Sequence, residues 1–149
     1  MTIDVLVVGS INQDVVCQVA ELPAPGQTVA GFGIARHPGG KGLNQAVAAA
    51  RWGAATAMIG QVGDDAAGDQ LLEVLHAAGV DVTGIGRLAG GQTGQALIFV
   101  STAGENMIVV AGGVNLSLAP PPVSPAAKVV LAQLETPVAT TAAMFEQAR

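Results

Sequence analysis

The chain has 149 residues, half of them hydrophobic and only 11% charged, with a net charge of −5 at pH 7. That length holds one domain with a sizeable core or half of a larger one, and a charge content far below the roughly 25% of ordinary soluble domains points to surface covered by a partner subunit, a further domain or lipid. Six scattered Lys and Arg and 3% aromatic residues exclude the basic patch and stacking platform of a nucleic-acid binder, and no apolar run reaches the roughly 18 residues of a membrane-spanning helix.

Ile3–Val8, apolar apart from Asp4 and closed by Gly9, predicts a strand buried on both faces of a parallel sheet. Asp4 stands where a signal peptide would carry basic residues, so no such peptide is expected. The stretch "CQVAELPAPGQTVAGFGIAR" alternates loosely and is interrupted by Pro23, Pro25 and Gly26. It predicts two short strands around a turn, lying apart from the main sheet. Its Cys17 is the single cysteine, which rules out an internal disulfide and makes a reducing cytoplasm the expected setting.

Lys41 to Trp52 reads as a helix stopped by Gly53, "ATAMIGQVG" as the next buried strand, and Asp65 to Ala78 as the next helix, closed by Gly79. This alternation predicts an α/β layer with right-handed crossovers. Two strands follow, near Gln95–Ser101 and Met107–Ala111, joined by "TAGEN" as a hairpin. They are expected to join the earlier pair in a second small sheet. After the proline-rich connector "LAPPPVSP" the α/β pattern returns, with "KVVLAQLE" as a strand and Val138 to Arg149 as a helix.

The segment "PGGKGLNQAVAAA", Pro38 to Ala50, places glycines, a lysine and an asparagine at the mouth of a helix. It is not a P-loop, because Ala35 replaces the leading glycine and Gly42 the Ser or Thr after the lysine. Nor is a dinucleotide fingerprint present: Ser10, Ile11 and Asn12 break it after Gly9, and "GIGRLA" at Gly84–Ala89 leads into Gly90 and Gly91 rather than a helix. The segment still suits a ligand. Glycines let backbone N–H groups approach oxygen atoms closely, and a helix start offers unpaired donors and partial positive charge. Lys41 adds a formal charge, with Asn44 one turn on along the same face.

Asn12 and Asp14 follow the first strand directly, where open α/β sheets place ligands. Spaced by two, they point the same way on extended backbone, and an amide beside a carboxylate suits a polyol. Glu135, just past the last strand, is a third such group. Each of these residues alone also suits an ordinary turn; three strand ends delivering polar groups argue for one site. His37 and His76 are far apart, with no His/Cys cluster of metal-binding spacing, and are read as structural or exposed.

Together "GSINQD", "PGGKGLNQAVAAARWGA", "IGQVGDDAAG" and "QLETP" resemble the ribokinase-like (PfkB-type) carbohydrate kinase family, and "TGQALIFVSTAGENMIVVAGGVN" resembles that family's lid hairpin and the segment after it. The resemblance implies a three-layer α/β sandwich with a small β-sheet lid, its strands roughly at 15–36 and 93–111, the lid also clasping a homodimer. It implies transfer of the ATP γ-phosphate to the 5-hydroxyl of D-ribose, with Mg²⁺ and a monovalent cation such as K⁺. Carried over by position, it makes Asn12, Asp14, Gly40, Lys41, Asn44 and Glu135 sugar-binding residues. Lys41 would also face the transferred phosphate, and Asp14 would orient the sugar without acting as the base.

Members of this family carry, in a second half, an N-x-x-E segment and a G-A-G-D motif that supplies the catalytic aspartate. Neither occurs in these residues. The resemblance therefore implies that residues 1–149 are the N-terminal, sugar-binding half of such a domain. ATP, Mg²⁺ and K⁺ would bind mainly through the other half, and the chain by itself would be inactive or nearly so. Leu43 is bulkier than the small residue the family has there. The alternatives are a non-catalytic sugar-binding, dimerising protein and a family kinase for another sugar or a nucleoside.

Overall fold

The structure is a computed structural model and describes residues 2–148. In chain order its elements are β1 (Ile3–Val8), β2 (Asn12–Val19), β3 (Gly31–Gly39), α1 (Lys41–Arg51), β4 (Thr56–Gly63), α2 (Ala66–Ala77), β5 (Asp81–Leu88), β6 (Gly94–Ser101), β7 (Asn106–Ala111), a 3-10 turn at Gly113–Ser117, β8 (Ala127–Ala132) and α3 (Val138–Gln147). Eight strands divide into two sheets of four, in the orders β5-β4-β1-β8 and β3-β2-β6-β7.

The first sheet is parallel throughout, with β1 between β4 and β8. This central position explains the apolar run Val5–Val8 of β1, since both faces of a parallel sheet are covered. Val7 joins Leu43, Ala46, Met58, Leu71 and Leu75 in a core beneath α1 and α2. Leu6 and Val8 point the other way, toward Ile59, Leu118 and Met144 of α3. Three layers result. Leu6, Val7 and Val8 are each 0% exposed, and burying side chains of this size stabilises by roughly 1.5–3 kcal/mol apiece.

The outer strand β8 leaves its far edge unpaired, and Val129, Leu134, Val138 and Phe145 beside it are exposed. No helix among the described residues is long and apolar enough to cross a membrane.

The second sheet is mixed: β2 runs antiparallel to β3 and parallel to β6, and β6 pairs antiparallel with β7. The expected hairpin and its union with the earlier strand pair are both present. Its first two strands are longer than the sequence led us to expect. They have eight and nine residues and reach Asn12 and Gly39, because below a register shift at Gln18–Val19 the pairing runs on from Gln18 with Gly33 to Asn12 with Gly39, down to the main sheet.

Three other readings need correction. Strand β5 was not anticipated: it is a largely exposed edge strand, and its glycines and polar residues hide the strand signal. The 3-10 turn was not anticipated either. The last strand ends at Ala132, so Gln133–Glu135 belong to the turn into α3. That helix is described to Gln147, and the expected terminal residue Arg149 lies outside the described residues.

Asp65 ties the two sheets together. It caps α2 by accepting from the Gly68 N–H at 2.8 Å, and it also accepts from the Thr93 N–H and hydroxyl at 2.8 and 2.6 Å. Burial alone would raise its pKa, but the hydrogen bonds from Thr93 and Gly68 and the charge of Arg87 outweigh that and hold it below the ordinary value. A carboxyl depressed in this way stabilises the fold above its unfolded pKa and loses that effect as pH falls through the lower folded value. Asp65→Ala is therefore expected to cost about 1–2 kcal/mol in urea unfolding at neutral pH, with the difference from wild type shrinking in acid.

Candidate functional site

The site forms where α1 is pressed against the elbow between β1 and β2. Gly40 precedes the helix at φ 89°, and a Cβ there would lie 2.7 Å from the Ser10 carbonyl oxygen. A Cβ on Gly42 would lie 2.6 Å from the Gly9 carbonyl carbon and 2.7 Å from the Ser10 nitrogen. Only bare backbone permits this approach. It allows the Leu43 N–H to donate to the Ser10 carbonyl at 3.0 Å. Gly40 has no side chain to cap α1; the first N–H groups of the helix donate instead to Glu135 Oε2, to the Ser10 hydroxyl oxygen at 3.5 Å and to the Ser10 carbonyl, the kind of partners that helix starts require.

Into this corner comes Glu135, from the turn after β8. Its Oε2 accepts from the buried Ser10 hydroxyl at 2.6 Å and from the Lys41 N–H at 3.3 Å, while Oε1 pairs with Lys41 Nζ. Burial would raise the Glu135 pKa; its hydrogen bonds to Lys41 and Ser10 and the lysine charge pull it below the ordinary value instead. The Lys41 side chain is 65% exposed, so this ion pair positions groups more than it stabilises the fold. Behind Glu135, the Gln133 amide donates to Gln45 of α1, and its buried Oε1 has no protein partner.

Asp14 lies on β2, and its carboxylate leans over the bare Gly39. Its pKa is raised, first by burial and then by the negative charge of Glu135, with His37 opposing. One carboxylate is thus strongly hydrogen-bonded and the other is left open. Asn12, buried at the start of the same strand, accepts on Oδ1 from Asn115 Nδ2 at 2.8 Å.

The structure brings Asn12, Asp14, Gly40, Lys41 and Glu135 to one corner. Asn44 sits one turn further along α1, exposed, its N–H bonded to the Gly40 carbonyl. Two residues that sequence reasoning passed over support the corner. Ser10 holds Glu135. Asn115, in the 3-10 turn, accepts from the Ile11 N–H at 2.9 Å and donates to the Ile11 and Gly112 carbonyls and to Asn12. The only sequence signals were the serine inside "GSIN" and a single asparagine after a glycine pair. Neither reveals a partner some 100 residues away.

Residues 2–149 match the family described as pfkB family carbohydrate kinase. A ribokinase of Staphylococcus aureus is 38% identical over 161 aligned residues, which cover 100% of this chain and 51% of that protein. A ribokinase of Cryptococcus neoformans, solved in complex with ADP, superposes with a TM-score of 0.89 at 34% identity, over 99% of this chain and 47% of its own. A ribokinase of Arabidopsis thaliana complexed with ribose and ATP superposes with a TM-score of 0.86 at 28% identity, over 99% and 50%. The architecture is thus the ribokinase-like α/β fold with a second sheet, and the chain spans about half the length of the relatives it matches.

Two substitutions test the corner. Gly42→Ala drives a methyl group into the Gly9–Ser10 backbone and is expected to cost about 3 kcal/mol, read as a lower urea midpoint. Ser10→Ala removes a donor to the ionised Glu135, so the Glu135 carboxyl should move up toward its ordinary value in an NMR titration. Wild-type titration behaviour in this variant would show that the Ser10 contact does not hold the charge.

Proposed function

Because the chain belongs to the pfkB family of carbohydrate kinases, we propose that it forms the sugar-binding half of a ribokinase-type enzyme that transfers the ATP γ-phosphate to the 5-hydroxyl of D-ribose. The observation that carries this reading is the convergence of two carboxylates, one ammonium and the glycine-lined start of α1 at the carboxyl ends of β1 and β8. Ligands of open α/β sheets bind at such strand ends. The Asp14 carboxylate accepts hydrogen bonds from hydroxyls, and the exposed Lys41 ammonium donates to oxygens, so a polyol matches both.

In this reading Asp14 holds and orients the sugar, Asn12, Gly40, Asn44 and Glu135 complete its cradle, and Lys41 also faces the incoming phosphate. Phosphoryl transfer depends on positioning and charge stabilisation. Among the described residues no group of three or more His, Cys, Asp or Glu side chains comes together to hold a metal ion. We place the Mg²⁺, K⁺ and most of the ATP contacts on the part of the relatives' length that this chain does not span. A polypeptide of these residues alone then binds the sugar without turning it over.

The second sheet would cover the sugar and also clasp a second copy. Phe32, Ile34, Met107, Ile108, Val109 and Val110 on its outer strands are all exposed, an apolar surface of the kind that oligomers bury. The free Cys17 suits the cytoplasmic setting of such an enzyme.

Calorimetric titration with D-ribose tests the reading directly. The chain should bind ribose, and Asp14→Asn should weaken binding at least about tenfold. The same variant should melt no lower than wild type, because the raised Asp14 pKa means that ionising this group opposes folding. Affinity should fall as the pH drops through that raised pKa, beginning at a higher pH than for an ordinary carboxylate. Absence of ribose binding would overturn the sugar reading, and ribose-dependent ADP release at a kinase-like rate of roughly 1–100 s⁻¹ would overturn the half-site reading.

A further inference from the structure

Resting on the sugar-binding reading, we propose that His37 is a substrate-contacting residue that, with Asp14, reads a pair of hydroxyls on adjacent carbons of the sugar. In the antiparallel pairing of β2 with β3, Asp14 lies directly opposite His37, and the same face carries the pairs Asn12 with Gly39, Val16 with Ala35 and Gln18 with Gly33. The site-facing side of β3 is thus bare or apolar apart from one imidazole, and that imidazole stands beside the carboxylate at the centre of the site.

Side chains directly opposed across antiparallel strands have Cβ atoms about 4.5–5.5 Å apart, so their polar ends reach neighbouring atoms of a single small ligand. Their chemistries differ in a useful way. Among the described residues no group donates to the Asp14 carboxylate oxygens, and when ionised it only accepts; a neutral imidazole donates from one nitrogen and accepts at the other. Two adjacent hydroxyls offer donors and an acceptor in matching positions. His37 is exposed and so open to a ligand. Its place is set by strand register, which is rigid here because β2 is paired on both sides. A pair built this way should favour D-ribose over 2-deoxy-D-ribose, since a polar group left facing a missing hydroxyl loses its partner.

The test is calorimetric binding of both sugars to the full chain, as wild type, His37→Ala and Arg36→Ala. Arg36 is the adjacent β3 residue, on the opposite face. The expected result is that His37→Ala weakens D-ribose binding about fivefold to tenfold and changes 2-deoxy-D-ribose binding by less than about twofold. Arg36→Ala should leave both unchanged. Equal weakening of the two sugars would mean that His37 supports the lid without reading a hydroxyl, and it would overturn the proposal. So would unchanged ribose binding in His37→Ala, or the same selective loss in Arg36→Ala. If wild type binds neither sugar, the sugar-binding reading fails, and this proposal falls with it.

Discussion

Everything in the site depends on how closely the start of α1 sits against the backbone between β1 and β2. That contact is backbone on backbone, with no room for a methyl group at Gly40 or Gly42. The Leu43 N–H donates to the Ser10 carbonyl across it. Because α1 is held there, Lys41 comes within reach of Glu135. The Ser10 hydroxyl reaches the same carboxylate from the other side. A looser junction would leave each of these groups solvated and separate. Pre-organisation of this kind removes most of the ordering cost that a small polar ligand would otherwise impose.

Two carboxylates share the corner, and the structure treats them oppositely. Glu135 has the serine, the backbone N–H and the lysine, so its charge is settled before any ligand arrives. Asp14 has burial and a neighbouring negative charge, and its ionised form is disfavoured. An acceptor whose lone pairs are unspent is the one that gains most from sugar hydroxyls. The cost falls on stability, which fits the general rule that functional groups are held in environments a fold would not otherwise choose.

The low charge content also finds its structural place. The outer strands of the second sheet present Phe32, Ile34, Met107 and their neighbours to solvent, and the free edge of β8 adds Val129. Much of the exposed apolar surface thus lies on the second sheet and at one margin of the first, with Trp52 at the end of α1 and Leu116 and Val123 exposed elsewhere, while α1 and α2 cover the core.

Much of this was legible in the sequence. The apolar run of β1, the helix signals around Lys41 and Asp65, and the "TAGEN" hairpin predicted the elements, because periodicity and turn chemistry are local properties. The glycines, lysine and asparagine of "PGGKGLN", with Asn12, Asp14 and Glu135, marked the candidate site, because three strand ends deliver polar groups where open α/β sheets place ligands, although each residue alone also suits a turn. Edge strand β5 escaped, since an exposed strand carries no buried stripe. What tertiary structure alone decided were the pairings between distant segments: Ser10 with Glu135, Asn115 with Asn12, and His37 opposite Asp14. Nothing in a residue's immediate neighbourhood encodes them, because they follow from sheet order and strand register, which are settled by the packing of the whole core.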